Sequence, residues 1–200
     1  MLRRPFAFAL ALALLAGCQP SSPAASPAAE TTGARPEAYG SGIDAAPEAY
    51  ALDAEGFRVV EASGASTHTL PFGTSREAVV DALSLRLGAP SDQGTAEECG
   101  AGPLDYDAWG DGLTVYSQRG AFRGWALSSR APTPNRMTTL AGLGLGTTRA
   151  ELDDGPTVVE MQDSTLGEEF VTAGISGLLS GPSADATVDA LWAGVSCNFR

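Results

Sequence analysis

Lysine is absent from this 200-residue chain; all 12 basic residues are arginines. That excludes a Walker A phosphate loop, a Schiff-base enzyme and a Ser-x-x-Lys acylase, each of which needs the lysine amine. Histidine occurs once, as His68. One histidine excludes the His-Glu-x-x-His motif and any zinc site built from several imidazoles. No Gly-x-Ser-x-Gly nucleophile elbow is present, because "AGISG" and "GLLSG" have the wrong spacing. Beyond the first 17 residues no apolar run approaches the ~18 residues of a membrane-spanning helix.

The N-terminus carries the first positive signal. Arg3 and Arg4 form a short basic region, and Phe6 to Ala16 is an uncharged apolar run. Small residues, Ala16 and Gly17, follow it, as in a secretory signal. Leu15-Ala16-Gly17-Cys18 resembles the bacterial lipobox. That resemblance implies cleavage before Cys18 and acylation of its thiol and new amino group. Several acyl chains exceed the two signals that stable anchoring takes. In the same family an aspartate after the cysteine favours inner-membrane retention, so Gln19 implies the outer membrane where the host has two. "RRPF" resembles a twin-arginine signal, but its short basic region favours the general secretory route. Residues 18–47 are rich in Pro, Ala, Ser and Gly and poor in large apolar residues. Such a segment reads as a disordered tether. Residues 48–200 remain for one folded domain with a real core.

Loss of residues 1–17 removes two arginines and no acid, leaving 10 arginines against 24 acids, a formal charge of −14. A chain so acidic is repelled by nucleic acid, and no nucleic-acid partner is expected. Besides Cys18 there are two cysteines, Cys99 and Cys197. Outside the cytoplasm two such cysteines usually pair, and a disulfide between them is expected.

"LPFGTSREAV" (70–79) and "LGLGTTRAEL" (143–152) match at an offset of 73 residues, with Leu70/Leu143, Gly73/Gly146, Thr74/Thr147 and Arg76/Arg149 identical. Alternation in "THTLPFG" predicts a strand that Gly73 breaks. Thr74 and Glu77, then Thr148 and Glu151, have capping-box spacing. The first helix is expected to reach about Leu87, with Val79, Val80, Leu83 and Leu87 on one face, and to stop at Gly88 and Pro90. The second is short, because Gly155-Pro156 follows. Hairpins are expected in 112–127 and across 174–194, with Trp125-Ala126 and Trp192-Ala193 as like positions of the closing strands. "APTPN", 131–135, links halves of about 48–130 and 136–200.

The expected fold class is therefore α+β, with two related strand-turn-helix-hairpin halves and an antiparallel sheet carrying one or two helices. The duplicated unit resembles the tandem α/β repeats of β-lactamase-inhibitor-like and small outer-membrane-assembly lipoproteins. "ECGAGPLDYDAWGDGLTVYSQRGAFRGWAL" also resembles uncharacterised bacterial lipoproteins. In the named families the function is protein–protein contact, and only framework positions match here.

Candidate chemistry is sparse. Asp105, Asp107 and Asp111 in "DYDAWGDG" offer hard oxygens suited to Ca²⁺. An EF-hand loop begun at Asp105 places Gly110 at its sixth position. Trp109 then stands at a ligand position and Tyr116 replaces the closing Glu. The alternative is a solvated turn entering a strand. His68 beside Ser63 or Ser66 would be a general base; the alternative is a structural strand histidine. "GLGLG", 142–146, lacks phosphate-loop spacing and reads as strand and turn. Trp109, Trp125 and Trp192, with Tyr106 and Tyr116, would line a sugar or peptide groove, or else fill the core. Asp153-Asp154 and Glu168-Glu169 would supply paired carboxylates only if they converge. No cofactor is expected. The expected function is a non-enzymatic envelope lipoprotein, anchored to the membrane by its lipid and contacting another envelope protein. The alternatives are a carboxylate-based cell-wall hydrolase and a glycan- or small-ligand-binding lipoprotein.

Overall fold

Strands outnumber helices by eleven to two among the described residues, and period-two patterning marks several of them. The structure is a computed structural model that describes residues 47–61 and 67–197. The signal segment, Cys18, the tether, Ser63 and Ser66 lie outside the described residues. All described residues fall in one unit.

Strands β1 (Ala49–Asp53), β2 (Gly56–Val60) and β3 (Thr67–Pro71) form an antiparallel three-stranded sheet. Helix α1 (Arg76–Leu87) follows, then β4 (Asp92–Ala96), β5 (Leu104–Ala108), β6 (Leu113–Gln118) and β7 (Ala121–Ser128). A second helix, α2 (Arg149–Asp153), is followed by β8 (Val159–Gln162), β9 (Glu168–Thr172), β10 (Ile175–Leu179) and β11 (Val188–Gly194). The eight later strands make one sheet in the order β4-β5-β6-β7-β11-β10-β9-β8, antiparallel throughout. The class is α+β as expected. The three-stranded sheet and strands β4, β5, β8 and β9 were not foreseen.

The entries to the two helices use the same backbone bonds. Gly73 N–H donates to Phe122 O, Phe122 N–H to Thr74 O, and Arg76 N–H to Gly120 O, at 2.8, 2.8 and 2.9 Å. Gly146 N–H donates to Val188 O, Val188 N–H to Thr147 O, and Arg149 N–H to Ala186 O, at 2.9, 2.8 and 2.7 Å. Both glycines have positive φ, 96° and 83°, which a side chain would resist. Thr148 and Glu151 form the expected capping box. At α1 the cap is Ser75, not Thr74: its Oγ accepts from Ala78 N–H, while Thr74 Oγ donates to Pro71 O.

The Trp-Ala likeness of the closing strands is one residue out of step with these bonds. The bonds set Phe122 beside Val188, so Trp125 falls with Leu191 and Trp192 with Ala126. A one-residue slip moves a strand side chain to the opposite face, and the two tryptophans indeed face opposite ways.

One face of the large sheet is the core. Leu113, Val115, Phe122, Trp125, Leu127, Leu191 and Phe170 are buried there. Val79, Ala82 and Leu83 of α1, Leu152 of α2, and Phe57, Val59 and Leu70 of the small sheet pack on it. Phe57 stacks on Phe122 with ring centroids 5.6 Å apart and parallel planes. Nearly all the covering elements thus sit on a single face, and the other face is left to loops.

Candidate functional site

The outer face follows from register. Tyr116 lies opposite Gly124, Thr114 opposite Ala126, Ala126 opposite Trp192, and Trp192 opposite Ser176. Directly opposed residues share a face. The row is mostly small, and it floors a groove of about 540 Å³ across the β7–β11 midline. Trp192, Tyr116, Leu166 and Leu178 give it apolar walls. Cys197 lies at the Tyr116 end, and Arg130 and Asp189 at the other. The Arg130 side chain is exposed and has no carboxylate partner among the described residues.

The three tryptophans do not share this groove. Trp125 is core, and its Nε1–H donates to Asp53 O at 2.9 Å. Trp109 is buried and donates to Gly88 O at 2.8 Å. Only Trp192 lines the groove. Leu166, Leu178 and Arg130 were not singled out from sequence. The signal for Leu178 was the alternation of "ISGLL"; Leu166 and Arg130 sit in loops, where no period places them.

The acidic cluster divides. Asp105 and Asp107 stand in β5 rather than in a solvated turn. Asp107 is 0 % exposed and faces the core side, opposite Val115. Arg76 grips it through Nε and Nη2 at 2.8 and 2.9 Å, and Gln93 Nε2 also donates to it. Asp107, then burial working the other way, leaves the Arg76 guanidinium raised above its ordinary pKa. Asp111 instead accepts from Asn135 Nδ2 at 2.6 Å. Among the described residues no set of three His, Cys, Asp or Glu is placed to hold a metal.

Asp153, Glu168 and Glu169 do not form catalytic pairs. Arg149 reaches Asp153 at 3.4 Å and Glu168 at 3.9 Å. Glu169 is buried on the opposite face from Glu168, as neighbours on a strand must be. His68 Nδ1 lies 3.0 Å from Glu61 on the small sheet. "GLGLG" is turn, with a bridge between Thr138 and Gly144.

Cys99 and Cys197 are free thiols in this structure, not at bonding distance, but near enough for their side chains to interact. Cys99 is buried in the β4–β5 connection, its Sγ 3.9 Å from Ser196 O. Burial, then contact with the Cys99 thiol, pushes the Cys197 thiol up to about 11. Burial, then Cys197 and Cys99, raises the Tyr116 phenol above its ordinary value.

No protein-family model, no curated protein and no solved structure matches the chain.

Proposed function

We propose that the chain is an exported lipoprotein of the cell envelope, held by acyl chains on Cys18, whose domain binds another envelope protein and catalyses nothing. Where the host has two membranes, the outer one is its place. One observation carries the binding role. The large sheet is covered on one face and keeps an aromatic groove open on the other. Concave sites that combine apolar walls with a few polar groups are where partners and ligands dock. The charge of −14 favours a partner with a cationic contact surface, by steering and complementarity.

The hydrolase alternative is disfavoured by the duties of the carboxylates. Asp107 is held by Arg76 and Gln93, Asp153 and Glu168 share Arg149, and Glu151 caps α2. The ligand-binding alternative uses the same groove, whose volume lies in the ~300–1,000 Å³ range of small-molecule sites. Tyr116 would be its stacking face, above the buried edge of Trp192.

We also infer that the two helix-plus-four-strand units are copies of one ancestral unit. Their helix entries share the same three backbone bonds. Their hairpins β6–β7 and β10–β11 slip register at like places, after Tyr116 and after Leu178. On this correspondence Tyr116 matches Leu178, Asp105 matches Glu168, and Trp192 replaces the alanine of the first copy. The outward tryptophan is then a departure from the unit, placed in the groove.

Cross-linking in cells, affinity capture of the lipidated chain and mass spectrometry test the function. One reproducibly enriched envelope protein, lost with Cys18→Ser, is expected. Only bulk lipoproteins, equal in both samples, would overturn the interaction reading.

A further inference from the structure

We propose that Cys99 and Cys197 are a thiol-oxidation site, whose disulfide clasps the segment after β11 to the β4–β5 connection and closes one end of the outer-face groove. The backbone is built to bring the two together. At Gly194, with φ 69°, the chain leaves β11 and turns over the outer face. A side chain there would overlap Arg123 O and the Phe72 ring. The segment then crosses Gly124, where a Cβ would collide with Val195 O. Val195 N–H is pinned to Arg123 O at 2.9 Å. Two residues on, Cys197 reaches Cys99 above Tyr116, at the groove's Tyr116 end. Two glycines are thus needed to deliver one cysteine to another that lies 98 residues earlier.

The step is thiol–disulfide exchange with a disulfide donor of the envelope. Cys197 is the more exposed thiol. Its thiolate attacks one donor sulfur, forming a mixed disulfide and releasing one donor thiol. The Cys99 thiolate then attacks the Cys197 sulfur and releases the second. The protein loses two protons and two electrons, and the donor disulfide is reduced to two thiols. Only the supply of this donor rests on the export reading; the geometry does not.

The test has two arms. Full-length chain isolated from the envelope is alkylated under denaturing conditions without reductant, and intact mass is recorded. Neither Cys99 nor Cys197 is expected to react, and both should react after reduction. Separately, reduced protein is treated with glutathione disulfide. The intramolecular bond is expected to form, and hydrogen exchange of residues 193–197 to slow at least tenfold. Gly124→Val keeps both thiols but displaces the crossing segment, and should oxidise at least tenfold more slowly than wild type. Persistently free thiols in the second arm, or an unchanged rate in Gly124→Val, would overturn the site. Bond formation with glutathione disulfide but not in the envelope would uphold the site and count against export.

Discussion

Arg76 and Arg149 occupy the same position in the two sequence matches, yet their removal should differ severalfold in cost. Arg76 binds Asp107 with two short bonds, and that carboxylate has no access to water. Breaking a buried pair leaves an uncompensated charge and costs about 3–5 kcal/mol. Arg149 serves Asp153 and Glu168, which are 51 % and 40 % exposed, at 3.4 and 3.9 Å. Such surface pairs contribute about 0–1 kcal/mol. For a domain of this size one kcal/mol shifts the melting temperature by roughly 2–4 °C. Arg76→Met should therefore lower Tm by roughly 6–20 °C, and Arg149→Met by no more than about 4 °C. Asp107→Leu should cost less than Arg76→Met, because the orphaned guanidinium is 31 % exposed and still has Asp105 at 4.0 Å. The double variant Arg76→Leu/Asp107→Leu should recover most of the loss, since neither charge then stays buried alone. Thermal unfolding followed by circular dichroism at pH 7 measures all four. Equal losses for the two arginines, or no recovery in the double variant, would refute the assignment of Arg76 as the counter-charge of Asp107.

Ser75→Ala should destabilise by about 1 kcal/mol through loss of the α1 cap, and Thr74→Ala by clearly less; chemical denaturation separates them. Ala173 sits at φ 47° in the β9–β10 turn, so Ala173→Asn should raise stability by about 0.5–1 kcal/mol, read in the same assay. Glu151 is held below its ordinary pKa by the Thr148 N–H and then by its hydroxyl. Burial opposes ionisation of Asp53, but Arg58 and the Glu55 N–H outweigh it, and its pKa is also lowered. A lowered carboxyl pKa adds stability above the unfolded value, here about 4.5 for Glu151, that is lost as pH falls through the folded one. Tm should thus drop below about pH 4.5, and the deficit of Thr148→Ala relative to wild type should shrink there; a deficit constant with pH would contradict the cap's electrostatic part.

Local signals were legible where one residue type decides the outcome. Gly73 followed the end of β3, Gly146 made the turn into α2, Gly88 ended α1, and Arg119-Gly120 made the β6–β7 turn with positive φ at both positions. The "AYALDAEGFRVV" hairpin carries alternation of its own, on both sides of the Ala54-Glu55 turn. Strand β4, "DQGTA", had no comparable signal, and the alternation of β5, "LDYDA", and β8, "VEMQ", runs for only five and four residues. Burial of Asp107 was not readable from its surroundings, since its partner Arg76 lies 31 residues away. The tryptophans show a sharper failure. "LWAG" and "GWAL" look alike, but a slip of one residue sends Trp125 into the core and Trp192 into the groove. Sequence likeness hid the difference that defines the candidate site.

The groove matters functionally only if a partner touches it, and site-specific photo-cross-linking in living cells measures that directly. A photoreactive residue would replace Leu178 or Ser128 in the groove, and Glu77 on the exposed side of α1, all in the lipidated chain. One shared cross-linked envelope protein from Leu178 and Ser128, and none from Glu77, is the predicted result. The same products from all three positions, or a partner captured from Glu77 alone, would contradict a binding role for the outer face.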